Sequence, residues 1–269
     1  MRQRLLTGIV AGAAFIAVLV LGGYWFAALL AAMAFIGLHE YHRMNGVRAA
    51  DPTAIAGYAA LAALVWPSDS GAGWDRLWGT AWSAADLLWA LMFVLFALTV
   101  VSKNRITLDM IALELLGILY VAAGFRYMID TRLSGDDGLW WTLLVLLGVW
   151  ASDSGAYFAG RAFGRTKLWP SISPNKTVEG ALGGVLLAVA VTMAMAAWKP
   201  ELIGFGEAAV IGVCIAVVGQ LGDLMQSAYK RVRGIKDSGR LLPGHGGVLD
   251  RTDSWLIVFP FLHVVGLIG

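Results

Sequence analysis

Apolar residues recur along this chain in long runs, separated by short segments where charge, glycine and proline gather. The runs predict helices near 5–22, 24–38, 53–66, 86–101, 108–129, 139–159, 178–198, 206–226 and 254–268. The second, third and last fall short of the roughly 20 residues of an upright span, so they are expected to tilt, re-enter or extend into their loops. The first two meet at Gly22-Gly23 and read equally as one helical hairpin. No internal repeat or low-complexity linker divides the chain. The expected fold is an all-α, polytopic integral membrane helical bundle of about nine transmembrane helices.

Composition sharpens that reading. The chain is 59% hydrophobic and only 14% charged, against roughly 45–50% and 25% for a soluble domain. One soluble core of this size cannot hide the excess, so a bilayer is the second solvent. Charge placement then orients the bundle. With the N-terminus inside, all 20 lysines and arginines except Arg76, Arg126, Arg132 and Lys199 fall on the inner side. That obeys the positive-inside rule and calls for an odd number of spans. The expected location is the cell's inner (cytoplasmic) membrane. The basic start before the first run suggests a signal peptide, but no small-residue cleavage site follows, so a retained helix is expected. Trp66, Trp74, Trp78, Trp82, Trp140 and Trp141 fall near outer boundaries, as an interfacial belt would place them. Cys214, the single cysteine, lies in an apolar run and reads as a packing residue. His39-Glu-Tyr-His42 lacks the zinc-protease spacing and reads as loop polarity and interface anchoring.

Two inner segments carry the candidate chemistry. The first holds Asp153-Ser-Gly-Ala-Tyr157 and Ser173-Pro-Asn-Lys-Thr177 with Glu179-Gly180. Ser173 or Thr177 could cap the helix that follows, while Lys176 there opposes the helix dipole, a conflict an anionic ligand would remove. The second runs from Asp223 to Asp253. Asp223 and Ser227 share a helix face, as do Asp250 and Asp253. Carboxylates at membrane depth are costly and face a cavity or a partner. Together with Asp153 they suit a hard cation such as magnesium. Capping and salt bridges are the competing explanation. Between them, Pro243-Gly244-His245-Gly246-Gly247 could present backbone N–H groups to phosphate, with Lys230, Lys236 and Arg251 supplying charge. A tight turn whose bases serve only topology is the alternative.

The stretch Ser227-x-x-Lys230-Arg231-x4-Lys236-Asp237-x-Gly239-x-x-Leu242-Pro243-Gly-His245-Gly-Gly247-x-x-Asp250-Arg251-x-Asp253 resembles the signature of the phosphatidate cytidylyltransferases, or CDP-diacylglycerol synthases. The 153–157 and 173–180 segments resemble that family too, although Ser154 and Asn175 stand where threonine and lysine are often found. The resemblance implies a Mg²⁺-dependent reaction of CTP with phosphatidate in the bilayer, giving CDP-diacylglycerol and pyrophosphate, with no nucleic-acid partner. It implies that Asp223, Asp250 and Asp253 hold the metal, with carboxylates enough for a second ion. Ser227, Lys230 and His245 would join Asp223 and Asp250 in catalysis. Lys176, Ser173, Lys236, Asp237, Arg251, Asp153 and the glycines 244, 246 and 247 would bind substrate. Residues 139–269 are then the catalytic region of one membrane domain, facing the cytoplasm. Residues 1–138 are its scaffold and would carry the contacts of a homodimer, if one forms. A CTP-dependent lipid-alcohol kinase and a secondary transporter are the alternatives. The kinase would release CDP; the transporter would place its polar groups at the membrane midplane.

Overall fold

The structure, a computed structural model, describes residues 2–66, 82–239 and 246–268. Its elements are α1 (Arg2–Leu21), α2 (Gly23–Met44), α3 (Pro52–Val65), α4 (Ala84–Val101), α5 (Leu108–Leu133), α6 (Gly138–Phe163), β1 (Lys167–Trp169), β2 (Ser173–Thr177), α7 (Val178–Trp198), α8 (Phe205–Val232), α9 (Leu249–Thr252) and α10 (Trp255–Val264). Each apolar run is helical. Among the described residues six helices, α2 and α4 to α8, are long and apolar enough to cross a membrane, while Val10–Leu21, α3 and α10 are shorter apolar helices. The second run is longer than its apolar stretch because α2 continues through His39–Arg43.

Local chemistry sets the ends. Ser83 and Asp86 form a reciprocal capping box at the start of α4. Thr107 caps α5 through the Met110 N–H, and Pro52 sits in the first turn of α3, where a missing donor costs nothing. The α1–α2 break at Gly22 is tied down by Arg132 of α5, whose guanidinium donates to the carbonyls of Leu19 and Val20 at 2.9 and 3.3 Å.

α5 lies centrally, packed on α2, α3 and α10. Phe26, Leu30, Ile118, Phe125, Met128 and Phe259 are completely buried around it. α6, α7 and α8 form the second packing unit. A Cβ built on Gly155 of α6 would lie 2.5 Å from the Gly183 carbonyl of α7, so these backbones meet at a distance only glycine permits. The Thr192 hydroxyl donates to Ala208 O at 2.8 Å and joins α7 to α8. Such contacts matter in a bilayer, where lipid is as apolar as the helix faces and no hydrophobic force drives helices together. Outward faces carry exposed Trp89, Phe93, Phe96, Leu116 and Leu186, a surface fitted to lipid.

Two expectations change, and one element was not anticipated. His39–His42 is a helical turn with buried residues, not loop polarity. His42 Nε2 meets Glu114 Oε1 at 2.8 Å, with both side chains almost fully buried. The cause is the length of α2: polar groups carried inside by a helix must find partners there. Trp140 is buried against Trp141 and cannot anchor at an interface, whereas Trp82 is exposed and Trp66 and Trp141 are partly so. Trp74 and Trp78 lie outside the described residues. Finally, 167–177 folds as an antiparallel hairpin with Lys167 opposite Thr177 and Trp169 opposite Ser173.

Candidate active site

One cavity of about 670 Å³ opens where α6, β2, α7, α8 and the α9–α10 segment converge. Its volume lies in the ordinary range for small-molecule sites. α6 contributes Asp153, Tyr157 and Arg161, and β2 contributes Asn175, Lys176 and Thr177. α8 contributes Gln220, Asp223 and Lys230, and the last segment Asp250, Arg251, Asp253 and Ser254.

The hairpin is what delivers Lys176. The Glu179 carboxylate accepts from the N–H groups of Arg165 and Thr166 at 3.1 and 3.2 Å, fastening the start of the hairpin to the start of α7. The Thr177 hydroxyl accepts the Gly180 N–H at 3.1 Å and caps α7, which settles the choice between Thr177 and Ser173. Lys176 Nζ then reaches Asp223 Oδ2 at 2.6 Å, with the two side chains 25% and 35% exposed. The cation that opposes the α7 dipole thus has a partner, but one open to the cavity. Asp223 also accepts from Ser227 one turn along α8, at 3.2 Å.

Asp250 is held differently. Lys230 Nζ lies 2.7 Å from its Oδ1. Its Oδ2 accepts from the Ser238 and Gly247 N–H groups at 2.8 and 2.9 Å, with the Ser238 hydroxyl at 3.0 Å. Burial alone would raise this carboxyl. The Gly247 N–H, the Lys230 ammonium and the Ser238 N–H outweigh it and hold Asp250 below the usual carboxylate range. Asp253 shows the opposite balance. Burial, reinforced by the Asp223 and Asp153 carboxylates, pushes it up to about 7 against the opposing Ser254 N–H and Lys230.

The structure therefore brings Asp153, Lys176, Asp223, Lys230, Asp250, Arg251 and Asp253, from the 153–253 stretch of the chain, to one cavity. Ser227 touches the site through Asp223, and Gly247 through its N–H to Asp250. Gly246 adopts a positive φ of 82° beside Asp250. Ser173 is occupied by the hairpin ladder, and Lys236 and Asp237 are exposed; none of the three is among the cavity-lining residues. Gly244 and His245 lie outside the described residues. Arg161, Gln220 and Ser254 line the cavity without having been singled out as site residues. Arg161 stands two turns beyond Asp153 on α6, a spacing that could have marked it.

Among the described residues no group of three or more carboxylate, histidine or cysteine side chains is placed to hold a metal ion. The donor chemistry nevertheless fits a hard divalent cation. Asp223, Asp250 and Asp253 offer carboxylate oxygens, and the Asp223 and Asp153 carboxylates raise the proton affinity of Asp253, a conflict that a bound cation would relieve.

Fold and cavity together define a polytopic helical membrane protein with a cavity lined by paired lysines and aspartates. A model of the cytidylyltransferase family matches residues 2–268. The phosphatidate cytidylyltransferase of Staphylococcus saprophyticus is 39% identical over 265 residues, 98% of each chain. That of Bacillus subtilis is 36% identical over 263 residues, covering 98% of this chain and 96% of its own. The chain belongs to the cytidylyltransferase family and is a CTP-using nucleotidyltransferase.

Proposed function

We propose that this protein makes CDP-diacylglycerol and pyrophosphate from CTP and phosphatidate at the cytoplasmic face of the membrane. The observation that carries this reading is the cavity itself. Two Lys–Asp pairs, with Arg161 and Arg251, line a pocket formed by three membrane-spanning helices. Lipid phosphate and nucleotide triphosphate are both anions, so the site must hold two like charges together.

The attacking atom is a phosphate oxygen of the lipid. A phosphomonoester loses its second proton near a pKa of about 6, so the nucleophile is ionised without a strong base. Attack forms an O–P bond to the α-phosphorus of CTP and breaks the α–β anhydride bond. Pyrophosphate leaves with the bonding electron pair. Lys176 can leave Asp223 for an entering phosphate, because its pair is partly solvated and worth little in place. Lys230 and Arg251 also line the cavity and would stabilise the charge that builds on the departing pyrophosphate. Asp223 and Asp253, with Asp250 beside them, would hold Mg²⁺, which when bound supplies neutralisation of the phosphate oxygens.

The test is turnover by purified protein in detergent with labelled CTP, phosphatidate and Mg²⁺, identifying both products. CDP-diacylglycerol with pyrophosphate supports the proposal. Release of CDP with a phosphorylated lipid would assign the protein to lipid phosphorylation instead.

A further inference from the structure

Glu40 lies near the end of α2, far in sequence from every cavity residue, and is only 4% exposed. A buried carboxylate is costly unless hydrogen bonds replace its water. Three donors do so here, and all come from the segment that carries Asp250. The Ser238 hydroxyl lies 2.8 Å from Oε2, the Val248 N–H donates to Oε1 at 2.9 Å, and the Leu249 N–H donates to Oε2 at 3.0 Å. The fit is close: a Cβ on Gly239 or Gly247 would overlap the Glu40 carboxylate. Ser238, with its N–H at 2.8 Å and its hydroxyl at 3.0 Å from Asp250 Oδ2, links the two acids directly. Gly247, whose N–H also donates to Asp250, immediately precedes Val248.

We propose that Glu40 is a positioning residue for the reaction. Its carboxylate gathers Ser238 and the 247–249 backbone so that their donors fix the Asp250 side chain at the cavity wall. Glu40 touches no substrate; it acts through Asp250. The inference rests on the reading of that cavity as the catalytic site. It gives the N-terminal half a part in the chemistry beyond support.

The experiment is a double-mutant cycle in purified, detergent-solubilised enzyme, with CTP, phosphatidate and Mg²⁺ as reactants. Glu40→Gln keeps the shape but offers one acceptor oxygen and an NH₂ to three donors. Its kcat should fall about 10–100-fold, the usual cost of disturbing a residue behind a functional ligand. Glu40→Gln/Asp250→Asn should be no slower than Asp250→Asn alone, because the same arrangement is already lost. A merely structural Glu40 would lower the melting temperature, and its effect would multiply with that of Asp250→Asn. Multiplicative losses, or a Glu40→Gln enzyme within about twofold of the parent, overturn the proposal. If Glu40→Gln does not fold, Ser238→Ala carries the same cycle. It removes one hydroxyl, and its loss of kcat should likewise vanish in the Asp250→Asn background; persistence of the full loss there overturns it. Absence of CDP-diacylglycerol synthesis by the parent enzyme would fall on the assigned reaction, not on Glu40.

Discussion

Each half of this molecule pairs a basic side chain with a carboxylate from another element, and the distances barely differ. His42 meets Glu114 at 2.8 Å in the N-terminal half, and Lys176 meets Asp223 at 2.6 Å in the C-terminal half. Exposure separates them: 1% and 2% for the first pair, 25% and 35% for the second. A sealed pair has no other partner available, so it can only hold helices together. A pair open to a cavity can exchange its partner for a phosphate. Lys230–Asp250, at 11% and 5%, stands between: enclosed enough to be structural, yet on the cavity wall. Geometry alone does not mark a functional ion pair; what else can reach it does.

The largest effect is expected where both roles meet. Lys230→Met leaves the Asp250 charge enclosed without its cation, which typically costs about 3–5 kcal/mol. Both thermal stability in detergent and turnover should fall sharply. Normal melting with lost turnover would move this pair to the open class. Next comes Asp223→Asn. Its side chain faces the cavity, so folding should survive while kcat drops about 10²–10³-fold, the scale of removing one preorganised electrostatic group. Near-normal turnover would remove Asp223 from the proposed metal and phosphate site.

The sealed pair predicts a reversal that the open pair does not. His42→Leu alone strands Glu114 and should destabilise by about 1–3 kcal/mol or more, since the orphaned group is a carboxylate. His42→Leu/Glu114→Met replaces both partners with apolar groups and should recover most of that loss, with turnover retained. The matching double change at Lys176 and Asp223 should fold and be inactive. A double variant of the sealed pair that folds normally but does not turn over would show that the N-terminal pair communicates with the cavity.

The same contrast explains what could be read from the sequence. The helices were legible because lipid-facing and buried positions are both apolar, so each run stands out whatever it packs against. Asp223, Lys230, Asp250 and Asp253 were legible because charge at a span's end has few reasons to be there. The hairpin was not, since Lys167–Thr177 is short, polar and broken by prolines. Nor were the partners. Whether Lys176 meets Asp223, or Glu40 meets Val248 some 208 residues away, depends on how helices pack. The reading of His39–His42 as loop failed for that reason: hydropathy ended the second helix at 38, and burial by α5 carries it to Met44.

Thr177 is the smallest and most exacting test, because it belongs to both classes. Its hydroxyl caps α7 through the Gly180 N–H, and it also lines the cavity beside Lys176. If capping is its whole role, Thr177→Ala should cost about 1 kcal/mol. That corresponds to a melting shift of about 2–4 °C for a chain approaching this size. Thr177→Ser should restore it, since the capping oxygen returns. Turnover should then change little in both variants, because Glu179 still fastens the hairpin and keeps Lys176 aimed at Asp223. A Thr177→Ala enzyme that melts normally but shows a raised KM for CTP would mean that the hydroxyl serves the nucleotide. The boundary between scaffold and site would then run through a single side chain.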